Sequence, residues 1–451
     1  MEERTTTFES TILSLLENKR FSSLKDVFIT MNPSDIAAVF EELPEESLPL
    51  LFRLLPKELA AETFAEMESD HQELLIKGFS DSELKEVIGE LYTDDAVALV
   101  EEMPASVVKR ILNQADPEKR RMINEILKYP EDSAGSIMTT EYVDLRPTMT
   151  ASEAITHIRR TGVDKETIDN CYVTDKSRIL IGTLSIRTLI LADGESAIAD
   201  LMEPHVIYVS TMEDQESVAN MFAKYNFTAL PVVDAENRLV GIVTVDDAMD
   251  VIVAEATEDI EKMAAITPSE HPYLKTPVVE IWKSRIPWLL LLMISATFTG
   301  MIITHFEDAL ATYVILTAYI PMLMDTGGNS GSQSSVTVVR SLSLNELEFG
   351  DIFKVVWIEA RVAILCGITL AVVNFAKLLL IDQVGVSVAL AVCLTLIVTV
   401  FVAKLVGCTL PLIAKRVGLD PAVCASPFIT TIVDALSLLI YFRIATTILG
   451  I

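Results

Sequence analysis

Basic residues are scarce in the first 285 residues of this 451-residue sequence, where 27 Lys and Arg stand against 54 Asp and Glu. A surface of that sign repels phosphate groups, which argues against nucleic acid and anionic lipid surfaces as partners. It attracts cations instead. From residue 286 onward the charges nearly balance, with 10 acidic and 8 basic residues. The sequence therefore divides into a strongly acidic half and a nearly neutral half.

Cysteine and histidine are also scarce. The five cysteines have no paired spacing, so we expect a reduced protein without disulfides; they are Cys171, Cys366, Cys393, Cys408 and Cys424. The five histidines form no set with a nucleophile, which argues against an enzyme. The start, MEERTTTFES, is acidic and polar, and it predicts no signal peptide.

The neutral half contains five apolar stretches long enough to cross about 30 Å of hydrocarbon. We place them at 286–305, 309–325, 352–380, 386–412 and 427–449. Basic residues gather on one side of these spans, at Lys283, Arg285, Arg340, Lys354, Lys415 and Arg416. The positive-inside rule then predicts a multi-pass cell-membrane protein with a cytoplasmic N-terminal half and an external C-terminus.

Two polar features interrupt the apolar half. The stretch PMLMDTGGNSGSQ, residues 321–333, follows the second span, and we expect the helix to continue past its glycines. Bare backbone and amides at membrane depth favour a pore or substrate site over a tight helix contact. Asp434 lies among aliphatic residues of the last span, where a carboxylate is typically functional. Carboxylate, amide and carbonyl oxygens together suit Mg²⁺, which sheds its waters reluctantly.

The acidic half has two parts. Residues 1–130 show a series of short amphipathic helices, which predicts a compact all-α helical superhelix. Two stretches with a period near 60 then begin at Met138 and Met202, and each alternates strand and helix patterns in the order β-α-β-β-α. Gly182 aligns with Gly241 between these repeats.

An acidic helix connects the repeats to the membrane half and reads VDDAMDVIVAEATEDIEKMAAI from Val245. Glu255, Glu258 and Asp259 share one face of it, and like charges at that spacing destabilise a helix by a few tenths of a kcal/mol per pair. An uncompensated acidic face needs a cation. A divalent ion between this face and Asp94 and Asp95 would lock the soluble parts together.

This order of parts resembles the MgtE family of magnesium channels over essentially the whole chain. The motifs P-x-L-x-x-T-G-G-N-x-G-x-Q, from Pro321, and D-P-A…S-P-F-x-T-T-x-x-D, from Asp420, are specific to that family. The resemblance implies a tandem CBS pair and a homodimer whose ion path is lined by the second and fifth spans. The predicted domains are the helical domain at 1–130, CBS repeats at 131–201 and 202–250, the connecting helix at 251–275, starting near 245, and five spans within 276–451.

The resemblance also implies roles for single residues. Asp434 of both chains would hold hydrated Mg²⁺, with the Gly328 carbonyl and the groups around Asn329 and Ser332 nearby. The connecting helix would act as a plug that intracellular Mg²⁺ closes. The predicted regulatory ligands are Asp94, Asp95, Asp246, Asp247, Asp250, Glu255, Glu258 and Asp259.

ATP binds the CBS pair of some relatives, often through an S/T-x-x-D motif. The second repeat has this motif from Thr244 to Asp247, whereas the first carries Thr188 in place of the acid. Thr244 and Asp247 are therefore the candidate nucleotide ligands, and the first repeat argues against ATP.

Two alternatives remain open. A secondary transporter that couples Mg²⁺ to another ion would need a further buried acidic site, and the sequence shows none clearly suited to it. A membrane Mg²⁺ sensor without transport would explain the acidic half but not the polar glycine stretch and Asp434.

Overall fold

The computed structural model describes residues 11–269, 273–274, 276–424 and 426–450, and of Asp308, Cys424 and Ser426 it describes the backbone alone. The sequence start, His271 and the Cys424 side chain therefore lie outside the described residues. The chain forms two compact units, one ending at Ile252 and one beginning at Val253.

Short helices build the first part of the N-terminal unit. They are α1 (residues 11–17), α2 (Phe21–Phe28), α3 (Pro33–Glu42), α4 (Leu48–Phe52), α5 (Lys57–Ala65), α6 (Ser69–Gly78), α7 (Asp81–Glu90), α8 (Thr93–Glu102), α9 (Ala105–Gln114) and α10 (Pro117–Ile126). Helix α5 packs on α3 and α7, α7 on α9, and α8 on α10. Basic side chains satisfy carbonyls at the ends of neighbouring helices, as Arg110 does at Phe79 and Lys119 at Leu91. The predicted series of short helices is confirmed.

Two equivalent three-stranded sheets follow. The first repeat contains β1 (Val143–Leu145), α11 (Ala151–Thr161), β2 (Asn170–Thr174), β3 (Leu180–Ser185) and α12 (Ile186–Leu191), with α13 (Ile198–Leu201) after it. The second contains β4 (Val209–Ser210), α14 (Gln215–Tyr225), β5 (Ala229–Val233), β6 (Leu239–Thr244) and α15 (Val245–Met263). In each sheet the middle strand pairs parallel with the first and antiparallel with the third, so the predicted β-α-β-β-α repeat is confirmed.

The two repeats pack reciprocally at their aligned glycines. A Cβ atom at Gly182 would lie 2.5 Å from the Met202 sulfur, and one at Gly241 would lie 2.7 Å from the Met138 sulfur. Each glycine is thus covered by the methionine at which the other repeat begins. The space leaves no room for a side chain, and this explains the glycine at both positions.

Long helices build the C-terminal unit. They are α16 (Val278–His305), the short α17 (Glu307–Thr312), α18 (Ile320–Ser343), α19 (Ile352–Leu380), α20 (Val386–Val417) and α21 (Ser426–Leu449). Among the described residues, four helices are long and apolar enough to cross a membrane, namely α16, α19, α20 and α21. The predicted single span at 309–325 is wrong, because these residues divide among α17, a 3₁₀ turn at Val314–Tyr319 and the start of α18. Helix α18 does continue past the glycines.

The glycines of α18 allow close helix packing. Helix α18 packs against α20 and α21. A Cβ atom at Gly327 would lie 2.9 Å from Val433 Cγ1, and one at Gly331 would lie 2.7 Å from Ile429 Cγ2. On the α20 side, a Cβ atom at Gly407 would fall on the Gly331 carbonyl oxygen. A tight helix contact therefore accounts for Gly327 and Gly331, in place of the predicted polar role of these two glycines.

Candidate functional site

A polar face runs along α18, in the middle of the apolar unit. Asp325, Asn329 and Gln333 follow one another at intervals of four residues, and all three are exposed. These side chains border an open cavity of about 480 Å³ that is also lined by residues of α19 and by Lys404 of α20. A polar helix face beside an open cavity is more favourable in contact with water than in contact with lipid.

Asp434 lies on α21 where that helix approaches the glycines of α18. Its side chain is half-buried, and its neighbour Val433 contacts Gly327. Asp325 interacts with the Asp434 carboxylate electrostatically. The structure thus places two acids from two helices near each other, and a cation between them would relieve their repulsion.

The other predicted pore residues lie on α18. Asn329 belongs to the polar face, Ser332 is half-buried, and Gly328 is buried with its Cα side against Thr430 of α21. Because α18 is continuous through the glycines, the Gly328 carbonyl already lies within the helical hydrogen-bond pattern. It keeps one lone pair for a water of a hydrated ion.

A second candidate site lies in the N-terminal unit, where the first turn of α8 meets the first turns of α15. Burial, followed by the negative charge of Asp247, raises the pKa of Asp94 well above its ordinary value. Burial likewise raises the pKa of Asp247, with Asp246 and Asp95 adding to the effect and a hydrogen bond from Thr244 opposing it. Burial also raises the pKa of Asp95 to about 6, although Lys119 opposes the increase. These shifts identify carboxylates that lack enough positive charge around them.

Two glutamates of this unit differ in how far hydrogen bonds and positive charge compensate their carboxylates. Glu141 accepts hydrogen bonds from the hydroxyls of Thr93, Thr139 and Thr140. With Lys119 they outweigh the effect of burial and lower its pKa. Glu166 is also largely buried, and its Oε2 has no hydrogen-bond partner within the described part of the chain. Burial and the charges of Asp95, Asp246 and Asp247 raise its pKa to about 8.

Asp250 lies at the more exposed edge of this group of acids. Burial, with the charges of Glu66 and Asp246, raises its pKa. Within the described residues no three His, Cys, Asp or Glu side chains are arranged to hold a metal ion directly. Carboxylates can also hold Mg²⁺ through its waters of hydration. We name Asp94, Asp95, Glu166, Asp246, Asp247 and Asp250 the cytosolic acid cluster.

The last turns of α15 lie in the C-terminal unit. Lys262 forms ion pairs with Glu258 at 2.6 Å and with Asp420 at 2.7 Å. The Ser343 hydroxyl donates a hydrogen bond of 2.9 Å to Asp259. Although burial opposes it, the hydrogen bonds to Asp420 and Glu258 raise the pKa of Lys262. The expectation that this acidic face lacks a counter-charge is therefore wrong at Glu258, since the chain supplies an ammonium group.

The remaining predicted residues divide between the two units. Glu255 is half-buried on the same side of α15 as Glu258. Thr244 donates a hydrogen bond of 2.5 Å to Asp247, so the candidate nucleotide motif overlaps the cytosolic acid cluster. A nucleotide role for these two residues stays a prediction.

The sequence did not predict Glu166 as a site residue or the pairing of Lys262 with Asp420. No motif marks Glu166, which lies in a loop after α11, and only the fold brings it to the cluster. Asp420 did carry a signal, because it begins the second family motif.

Three regions of the chain match known families. Residues 31–132 match the MgtE intracellular N domain, residues 134–195 and 198–254 match CBS domains, and residues 320–444 match the divalent cation transporter family MgtE. The Magnesium transporter MgtE of Thermus thermophilus is 38% identical over 95% of both chains. That of Bacillus subtilis is 33% identical over 96% of both.

Solved structures resemble the N-terminal part. The cytosolic domain of a Mg²⁺ channel MgtE in complex with ATP is 39% identical, with a TM-score of 0.51, over 54% of this chain and 99% of the other. The soluble part of a magnesium transporter is 31% identical, with a TM-score of 0.53, over 56% of this chain and 99% of the other.

Proposed function

The chain belongs to the MgtE family, and from this membership we propose that it is a Mg²⁺-selective channel for magnesium uptake that intracellular Mg²⁺ closes. The polar face of α18 carries this proposal. Asp325, Asn329 and Gln333 are exposed in one chain of a membrane unit, next to the half-buried Asp434. A polar surface of this kind is unfavourable against lipid, and a second copy of the chain would convert it into a closed, wet path.

The proposed topology has five crossings, with α18 as the polar crossing and α16, α19, α20 and α21 as the apolar ones. Arg340 and Lys354 flank the connection from α18 to α19, and Lys415 and Arg416 lie in the last turn of α20. These basic residues favour a cytoplasmic location for both connections. With five crossings, the C-terminus is external.

We propose that selectivity depends on the hydrated ion. Mg²⁺ exchanges its waters reluctantly, so a path of carboxylate, amide and carbonyl oxygens holds it through hydrogen bonds to those waters. Asp434 supplies the charge, and Gly328, Asn329 and Ser332 supply neutral oxygen or amide groups.

Closure is proposed to use the acids of the N-terminal unit and of α15. When intracellular Mg²⁺ is abundant, hydrated ions neutralise the cytosolic acid cluster and the acidic face of α15, which holds the plug closed. When Mg²⁺ is scarce, the like charges repel and the plug is released. The raised pKa values of Glu166 and Asp95 support this scheme, because burial and neighbouring acids disfavour the ionised carboxylates and a cation would offset this.

Mg²⁺ uptake into proteoliposomes tests the proposal. We expect Asp434→Ala to abolish selective flux, while Asp382→Asn, which removes an acid paired with Lys377 at the end of α19, leaves it unchanged. Neutralising Glu255, Glu258 and Asp259 together should alter the inhibition of flux by internal Mg²⁺, while selective flux through the pore is retained. Normal flux in Asp434→Ala would remove the pore assignment.

Two further outcomes would replace the channel by an alternative. If flux requires a gradient of a second ion, the chain is a coupled transporter. If no variant transports but the soluble part still binds Mg²⁺, the chain is a sensor without transport.

A further inference from the structure

An ion pair lies buried among three helices of the C-terminal unit. The Lys404 ammonium of α20 lies 3.6 Å from the Glu359 carboxylate of α19, and their side chains are 6% and 16% exposed. Ser334 of α18 joins them, because its hydroxyl donates to Glu359 at 2.6 Å and accepts from Lys404 at 3.1 Å. All three groups therefore form one network.

Lys404 lies far from both ends of α20. It lies 13 residues before the end of α20 at Val417, a distance of about 20 Å along the helix. An unpaired ammonium at such depth is costly, and pairing with a carboxylate is the usual solution. Glu359 is the acid within ion-pair distance of Lys404 among the described residues, so it is the group that compensates this charge.

The same residue borders the cavity beside the polar face of α18. Lys404 lines that cavity together with Asp325, Asn329 and Gln333. A fixed positive charge at this wall would repel any cation in the cavity, and the repulsion is twice as large for a divalent ion as for a monovalent one. The cavity is compatible with Mg²⁺ because Glu359 cancels the charge.

We propose that Glu359 determines cation access by neutralising Lys404, and that without Glu359 the Lys404 ammonium acts as a tethered cation that competes with Mg²⁺. This inference rests on the proposed function, since it requires the polar face of α18 to line the ion path. It assigns to α19 and α20 an electrostatic role in conduction, beyond that of α18 and α21.

Proteoliposome uptake over a range of Mg²⁺ concentrations tests this role. We expect Glu359→Gln to raise the Mg²⁺ concentration for half-maximal flux by about tenfold or more, because the ammonium is left uncompensated. The double variant Glu359→Gln/Lys404→Met removes both charges and should return that concentration to within about twofold of the wild type. Asp382→Asn is the matched control, because it also removes the acid of an ion pair, that with Lys377 just after α19, and should leave the half-maximal concentration unchanged.

Thermal unfolding in detergent separates this role from packing alone. A structural clamp would make the double variant at least as impaired in flux as either single variant, in parallel with its loss of stability, and that result would overturn the proposal. If Glu359→Gln does not fold, the double variant alone still tests the proposal. A raised Mg²⁺ concentration for half-maximal flux in the double variant would contradict charge compensation. Absence of flux in the wild type would instead refute the proposed function, and this inference with it.

Discussion

The two units of the chain treat buried charge in opposite ways. In the N-terminal unit, Asp94, Asp247 and Glu166 interact with like charges, and their pKa values are raised. In the C-terminal unit, Glu359 lies beside Lys404 and accepts a hydrogen bond from Ser334. The first arrangement leaves a deficit of positive charge, whereas the second is balanced within the chain.

The environment of each unit explains the difference. Water and dissolved ions reach a cytosolic surface, so an acidic cluster there can remain uncompensated until a cation arrives. Away from the proposed ion path of Asp325 and Asp434, a charge in the membrane unit must have its partner in the protein. We infer that uncompensated acids mark where the chain responds to cations, and that compensated ones mark where it must stay fixed.

The end of α15 is intermediate between these cases. Lys262 pairs with Glu258 and Asp420, yet burial and the charge of Asp420 still raise the pKa of Asp259, against hydrogen bonding from Ser343. One ammonium therefore serves several acids. The acidic charge of this part of the helix is therefore only partly neutralised.

The largest expected effect is a loss of helix packing that is confined to the C-terminal unit. Gly407→Val would place atoms on the Gly331 carbonyl oxygen, and we expect a loss of stability above about 3 kcal/mol in the membrane unit. Gel filtration in detergent and protease resistance of residues 276–450 measure it. Gly300→Val is the matched control, because a Cβ atom there meets nothing within 4 Å. Similar behaviour of the two variants would refute the close helix contact.

The second prediction removes the charge deficit of the cytosolic acid cluster. Asp94→Asn/Asp247→Asn should raise the thermal midpoint of the soluble part in EDTA and abolish most of the stabilisation that Mg²⁺ provides. Binding to the folded state alone stabilises it, by about 2.7 kcal/mol at one hundred times the dissociation constant. The control Glu42→Gln/Glu46→Gln removes two charges from exposed positions. An unchanged response to Mg²⁺ in the cluster variant would contradict the regulatory assignment.

The third prediction is a pH dependence that distinguishes the cluster from ordinary ion pairs. The folded pKa values of Glu166, about 8, and Asp95, about 6, lie above their ordinary values, 4.5 and 3.8. At a pH between the ordinary and the folded pKa of each group, the folded state binds more protons than the unfolded state. The stability of the folded state therefore falls as pH rises through this range. In EDTA we expect the thermal midpoint of the soluble part to fall by about 5 °C from pH 5 to pH 8.

Glu166→Gln provides the control for this slope, which it should flatten. Glu83 cannot produce it, because hydrogen bonds from Arg53 and Ser80 hold its pKa at about 2, below the range measured. A midpoint that rises with pH would show that the cluster is not buried as described.

The smallest expected effect concerns Lys262. Lys262→Gln leaves Glu258 and Asp420 without their ammonium. We expect amide hydrogen exchange in residues 253–263 to quicken about fivefold in EDTA, since partly exposed ion pairs contribute about 1 kcal/mol. Added Mg²⁺ should restore slow exchange. Lys354→Gln, which breaks an exposed pair with Asp351, is the control. Equal exchange rates with and without Lys262 would indicate that the hydrogen bond between Asp259 and Ser343, and not Lys262, stabilises the end of α15.

Regular patterns in the sequence were sufficient for much of the architecture. The series of short helices before residue 130, the repeated β-α-β-β-α order and the long apolar helices all follow from local periodicity, because each element buries one face or all faces at a fixed spacing. The acidic character of the first half and the family motifs also lie in the linear order of residues. These features supported membership in the MgtE family and the choice of Asp434 and Asn329 for the proposed pore.

The tertiary structure decided which charges are compensated. No local pattern pairs Lys404 with an acid, but packing of α18, α19 and α20 places it beside Glu359. Glu166 and Asp94 are 72 positions apart, yet interact in the fold. Glycines 327 and 331 fit a tight contact only once α20 and α21 are placed against α18. The physical reason is that solvation and pairing depend on neighbours distant in sequence, whereas helix and strand periods depend on neighbours a few residues away.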